Sequence, residues 1–240
     1  MNHAPLPTNA TFAQPHHVPA ASRGRADFGW LQSFHSFSFG EYYDPARMGY
    51  GVLRVLNDDT VAGGGGFPPH PHRDMEIISY VLEGGLAHRD SSGGEGVIQP
   101  DELQVMTAGT GVTHSEYNAS ATAPVKFLQL WLLPKAKGLA PRYAQAAFAA
   151  PQGWQPLASP TGVPGGLQLQ AEASLWRAKP HAGETLPPLT LPQGAWLQVI
   201  DGTVSVNGQA ASAGDGLALP SGELTVQASA DAHLLLVVME

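Results

Sequence analysis

The chain has 240 residues, 43% of them hydrophobic and 13% charged, with a formal net charge of -8. That is enough apolar material for one large cored domain or two small ones, and the acidic balance lacks the electrostatic footprint of a direct nucleic-acid binder. The absence of cysteine excludes disulfides and thiolate ligands. No apolar run is long enough to span a bilayer and no signal peptide is visible, so no membrane contact is expected and the cytoplasm is the default location.

Twenty-eight glycines and 21 prolines, with few long amphipathic runs, point to many turns and an all-β chain. Residues 1–22 (MNHAPLPTNATFAQPHHVPAAS) show no periodicity and read as an extended or disordered arm, with His16 and His17 solvated in it. GWLQSFHSFSFGEY alternates like a strand, and His35 inside it reads as a hydrogen-bonded core residue. GVLRVLNDDTVAGGGGF reads as a strand, a turn at Asn57-Asp58-Asp59 and a second strand broken by glycines. MEIISYVLEGGLAHRD is a strand, a tight turn at Gly84-Gly85 and a return strand, with His88 on the outer or rim face and outside the ligand set. GVIQPDELQVMTAG gives two short strands around a Pro-Asp turn. KFLQLWLLP puts Phe127 and Gln129 on one face and Leu128, Leu130 and Leu132 on the other.

Residues 135–166 change texture, with many prolines and alanines, and read as a connection with one short helix at RYAQAAF. Strand patterns return in 167–240. Ile200-Asp201-Gly202 and Val206-Asn207-Gly208 carry hairpin-type turn signals. The chain thus divides into an arm (1–22), a first domain (23–134), a connection (135–166) and a second domain (167–240). The two domains are repeats in architecture with little residue identity.

Chemistry concentrates between His70 and Asn118. HPHRDMEIISYVLEGG sets His70 and His72 two apart, and MTAGTGVTHSEYN sets His114 and Glu116 two apart. Residues i and i+2 of a strand share a face. If the two segments are neighbouring barrel strands, three imidazoles and a carboxylate converge on one point. That makes a site for a divalent ion with positions open to substrate or dioxygen. Glu76 and Glu116 could each face the lumen. The second half holds only His181 and His233, about fifty residues apart, and is expected to carry no metal and to serve packing and pocket closure.

These segments fit a named pattern. Gly64, His70, His72 and Glu76 fit the first cupin motif. His114 and Asn118 fit the end of the second, whose front half departs at Thr107 and in the Gly109-to-His114 spacing. FGWLQSFHSFSFGEYYDP, HPHRDMEIISYVLEGG, DELQVMTAGTGVTHSEYN and LQLWLLP together resemble the pirin family. They most resemble its bacterial members with quercetin 2,3-dioxygenase activity, densely over 23–141 and more weakly through WLQVIDGTVSVNG and GDGLAL. The resemblance implies two cupin barrels, each a double-stranded β-helix or jelly roll. It implies one metal held by His70, His72, His114 and Glu116, leaving Glu76 as a wall or second-sphere residue. Iron is the first expectation for dioxygen chemistry, with nickel, manganese, cobalt, copper or zinc as other occupants. The implied reaction opens a flavonol or related enediol with dioxygen and releases carbon monoxide, Glu116 taking the proton of the 3-hydroxyl. The family also resembles regulatory pirins, so a protein partner without turnover is the alternative.

Overall fold

The computed structural model describes residues 16–240. Its strands, in chain order, begin with β1 (His16–Val18), β2 (Gly24–Asp27), β3 (Leu31–His35), β4 (Leu53–Val61), β5 (Gly66–His72) and β6 (Glu76–Glu83). There follow β7 (Leu86–Asp90), β8 (Glu95–Ile98), β9 (Glu102–Thr107), β10 (Val112–Asn118), β11 (Val125–Leu132) and β12 (Arg142–Ala147). The rest are β13 (Gln155–Ser159), β14 (Leu167–Gln168), β15 (Ala173–Ala178), β16 (Leu189–Leu191), β17 (Ala195–Asp201) and β18 (Thr203–Val206). The last are β19 (Gln209–Ser212), β20 (Gly216–Leu219), β21 (Gly222–Leu224), β22 (Val226–Ala228) and β23 (His233–Met239). Among the described residues there is no α-helix, only a 3-10 turn at Ala20–Ser22. Among these residues no helix is long and apolar enough to cross a membrane.

The first half sets a seven-stranded sheet, β12-β9-β6-β11-β4-β3-β2, against a four-stranded one, β5-β10-β7-β8. The second half sets β1-β20-β17-β23-β15-β13-β14 against the small β19-β18-β22 and β16-β21 sheets. Each half is a cupin-type barrel. The chain passes between sheets at Gly84-Gly85 and again at Asp201-Gly202. Both were expected to be hairpin-type turns, but β6 does not pair with β7, nor β17 with β18. Gly84 (φ 74) and Gly202 (φ 79) take the left-handed backbone that a sharp corner needs. Asn207-Gly208 is a true hairpin joining β18 to β19, with both residues at positive φ as a type I′ turn requires.

Alternation along the large first sheet decides what faces the site. On β11, Leu128, Leu130 and Leu132 enter a core shared by the two halves, with Leu157, Leu175, Leu235 and Val237 of the second, while Phe127 and Gln129 face the first barrel's lumen. On β6, Ile78 and Tyr80 face that shared core and Ile77, Ser79 and Val81 face inward. Fully buried Arg177 fastens the seam, bonding the Tyr80 hydroxyl at 3.1 Å, the Asp101 carboxylate and the Ala149 carbonyl at 2.7 Å.

Three expectations fail here. Residues 53–61 form one unbroken strand, because β4 is laddered on both sides, by β3 and β11. Two of the three NDD side chains find partners laterally: Asn57 bonds His35, and Asp58 pairs with Arg23 and Lys126. The alanine-rich RYAQAAF is not a helix. Arg142–Ala147 closes the first sheet by pairing with β9, and Gln155–Ser159 already belongs to the second. Tertiary pairing outweighs alanine's helix preference. Within the expected arm, His16–Val18 pairs with β20 of the far half, Val18 is buried, and His17 bonds Asp215 at 2.8 Å. The reading of residues 1–15 as a loose tail lies outside the described residues.

Candidate metal centre and pocket

β5 and β10 are antiparallel neighbours, with His72 opposite Val112 and His70 opposite His114. The register slips between His114 and Glu116, where Pro68 and Pro69 bulge β5. Prolines suit a bulge because they have no N–H to give to the ladder. β10 alternates cleanly: Val112, His114, Glu116 and Asn118 are buried and the residues between are not.

The three rings converge. His70 and His114 bring their Nε2 atoms to 3.0 Å, and the His72 ring lies edge-on to both at 4.8 Å between centroids. The Pro68 carbonyl accepts from His70 Nδ1 at 2.8 Å, which leaves the Nε2 lone pair free for an ion. Burial and the neighbouring histidines lower His72 to about 4 and His114 to about 2, so both rings are neutral bases at physiological pH. Neutral imidazoles crowded in this way are a donor set that suits a divalent cation.

Glu116 is fully buried, and burial raises its carboxyl above the usual range. Ser79 donates to its Oε1 at 2.9 Å and Gln129 to its Oε2 at 2.7 Å. Among the described residues the candidate ligand atoms fall into two overlapping groups, His70-His72-His114 and His88-His114-Glu116, with His114 common to both.

Glu76 does not stand behind the ligands. It is fully buried on the seam face of β6, where its Oε2 accepts from the Gln170 backbone N–H at 2.9 Å. The spacing from His72 misleads because Arg73-Asp74-Met75 breaks the strand, with Asp74 at φ 50, and resets the parity. His88 departs from expectation in the other direction. It is buried, its Nδ1 lies 3.5 Å from His114 Nδ1, its Nε2 bonds Asp90 at 2.9 Å, and Tyr143 stacks on it. The i, i+2 spacing of His88 and Asp90 in AHRD is the same signal as in His70 and His72. Asn118 is structural, bonding the Val61 and Ala123 carbonyls. His35 is a hydrogen-bonded interior residue, its Nδ1 2.9 Å from Asn57 Oδ1, and it also lines the pocket.

The cluster opens into a cavity of about 700 Å³, within the range of small-molecule sites. Trp30, Phe39, Phe67 and Trp131 give it aromatic walls, and Glu116, Gln129, Asn57 and Asp59 give it polar points.

Residues 18–132 match the family model described as pirin, and residues 156–239 match the quercetinase C-terminal cupin domain. The chain is 43% identical over 219 residues to the quercetin 2,3-dioxygenase of Escherichia coli K12, spanning 90% of this chain and 95% of that protein. The crystal structure of YhhW from Escherichia coli superposes with a TM-score of 0.91 at 41% identity, covering 94% of this chain and 97% of that one. The structure of the bacterial pirin YhhW in complex with nickel(II) gives 0.90 at 41% identity, with 94% and 98% covered. With the fold, the histidine cluster and these likenesses in agreement over nearly the whole length, the chain belongs to the pirin family.

Proposed function

We propose that the chain is a cytoplasmic, metal-dependent dioxygenase that opens flavonols such as quercetin. Its single divalent ion is iron, held by His70, His72, His114 and Glu116. The observation that carries this reading is the convergence of three imidazoles and a buried carboxyl at a cavity with aromatic walls. The relatives named quercetin 2,3-dioxygenase support it, as does the nickel(II) complex of the neighbouring pirin for a divalent ion.

When bound, the ion would acidify an enolic hydroxyl and supply the one-electron chemistry that dioxygen requires. The chain's own groups do the rest. Trp131 and Phe39 meet edge to face at 5.4 Å, and Trp30 and Phe67 at 5.3 Å, so flat rings are held between rigid walls. Glu116 takes the proton of the bound hydroxyl as general base. Ser79 and Gln129 hold the carboxylate in place for the transfer.

The test is oxygen uptake and carbon monoxide release over a flavonol panel, using protein of known metal content. Stoichiometric uptake and release that track iron occupancy are expected. Flavonol binding without uptake at full occupancy, with every candidate ion, sinks the dioxygenase reading and leaves a ligand-sensing pirin.

A further inference from the structure

One level of the first barrel's lumen is polar from strand to strand. His35, Asn57, Gln129 and Ser79 are successive register partners across β3, β4, β11 and β6. Each has a hydrogen-bond partner, and the last two hold Glu116. The next level along β4 joins Ser33, Asp59, Phe127 and Val81. Phe127 and Val81 belong there to an apolar cluster with Leu31 and Val61.

Asp59 is the exception in that cluster. It is 2% exposed, and its Oδ1 has no hydrogen-bond partner among the described residues. The nearby cations do not serve it: Arg23 and Lys126 pair with Asp58, on the opposite face of the strand. Burial pushes its carboxyl up to about 7, only partly offset by Ser33. A buried carboxyl oxygen left unsatisfied costs stability and adds nothing to packing. Its side chain lines the same cavity as His70, His72 and Glu116.

We propose that Asp59 is a specificity-determining residue that hydrogen-bonds a phenolic hydroxyl of the substrate remote from the oxygens at the histidine cluster. The ligand class is a planar polyphenol hydroxylated at both ends. Asp59 is diagonal to Gln129 across β4 and β11, a separation of about 7–8 Å. Gln129 itself touches Glu116, so a fused bicyclic phenol at the cluster reaches Asp59 with its far edge. Ser33 stands opposite Asp59 and offers a second polar atom to the same hydroxyl. This assignment rests on the flavonol reading above.

The experiment compares metal-loaded wild type, Asp59→Leu and Asp59→Asn on flavonol pairs that differ by one hydroxyl remote from the chelating oxygens, on either ring. Binding is read by flavonol absorbance titration and turnover by oxygen uptake. Wild type should favour one hydroxylated member by about tenfold in kcat/KM and in affinity, since a site built around a hydroxyl rejects the analogue without it. Asp59→Leu should reduce that preference to within about twofold by raising KM, with kcat on the deoxy analogue retained. Asp59→Asn keeps the shape and a hydrogen-bonding head, so it guards against a folding failure of the leucine variant and should keep part of the preference. An unchanged preference in both variants overturns the proposal while leaving the dioxygenase reading intact. Flavonol binding with the Asp59-dependent preference but no turnover overturns the dioxygenase reading alone, and absence of flavonol binding to wild type overturns both.

Discussion

His88 stands behind His114, with Nδ1 3.5 Å from Nδ1 and with its own Nε2 bonded to Asp90 at 2.9 Å. Asp90 is an acceptor, held below the usual carboxylate range by the hydrogen bonds of His88, Ser92 and Gly94 against the effect of burial. With Asp90 bonded to its Nε2, His88 is placed to accept at Nδ1 from His114. His114 in turn carries its proton on Nδ1 and turns the Nε2 lone pair towards His70. A carboxylate and a second imidazole thus fix the tautomer of the most buried of the three histidines.

Replacing His88 with Phe should weaken metal binding by about tenfold or more, the usual loss when an outer partner of a ligating histidine is removed. Asp90→Asn should act in the same direction more weakly. Competition against a chelator of known affinity reads both, and unchanged affinity in His88→Phe means that the contact does not set the tautomer.

The two carboxylates should separate cleanly. Glu116→Gln should fold, keep part of its metal and lose most of its turnover, because the amide retains one oxygen but cannot take a proton. Glu76→Gln should leave metal content unchanged, since Glu76 lies on the seam face of β6. Glu76→Ala should cost about 1–3 kcal/mol of stability, because the Gln170 N–H loses its buried acceptor. Metal analysis beside thermal melts tests the pair, and loss of metal in Glu76→Gln alone would exchange their roles.

The double change His70→Ala with His72→Ala should abolish metal binding and oxygen uptake while the metal-free fold survives. Both rings are only part-buried on β5 and stand outside the hydrophobic clusters. The metal-free melting temperature should stay within a few degrees of metal-free wild type. A collapse of the metal-free variant would show that the rings pack as well as bind.

How far the sequence could be read follows from how local each signal is. His70/His72 and His114/Glu116 are i, i+2 pairs within single strands, and β11's alternation sorted Gln129 from its leucines for the same reason. The errors came where pairing partners distant in sequence decide. Asn57-Asp58-Asp59 looks like a turn until β3 and β11 flank it. RYAQAAF looks helical until β9 offers an edge. Glu76 changes face because three residues outside any strand intervene. His233 looked unattached because its partner, Tyr80, is 153 residues away in the other barrel.

That contact yields a pH prediction. His233 Nε2 lies 3.0 Å from the Tyr80 hydroxyl, and burial, with Lys179 next, lowers the ring to about 4. An unfolded histidine titrates near 6.5, so between about 6.5 and 4 the unfolded chain takes up a proton that the folded chain refuses. The stability this histidine contributes is complete above 6.5 and is lost as pH falls through 4. Glutamine keeps a hydrogen-bonding head for Tyr80 and does not titrate. The stability difference between wild type and His233→Gln should therefore move against wild type by about 2 kcal/mol over that window, allowing for the ring's partial exposure. Comparing the two, both metal-free, cancels the titration of the histidine cluster. Denaturant melts at intervals from pH 7 to 4 measure it, and parallel curves would mean that His233 is charged in the folded protein. Activity at neutral pH should stay within about threefold, under roughly 1 kcal/mol in barrier, because His233 packs at the seam and outside the pocket lining.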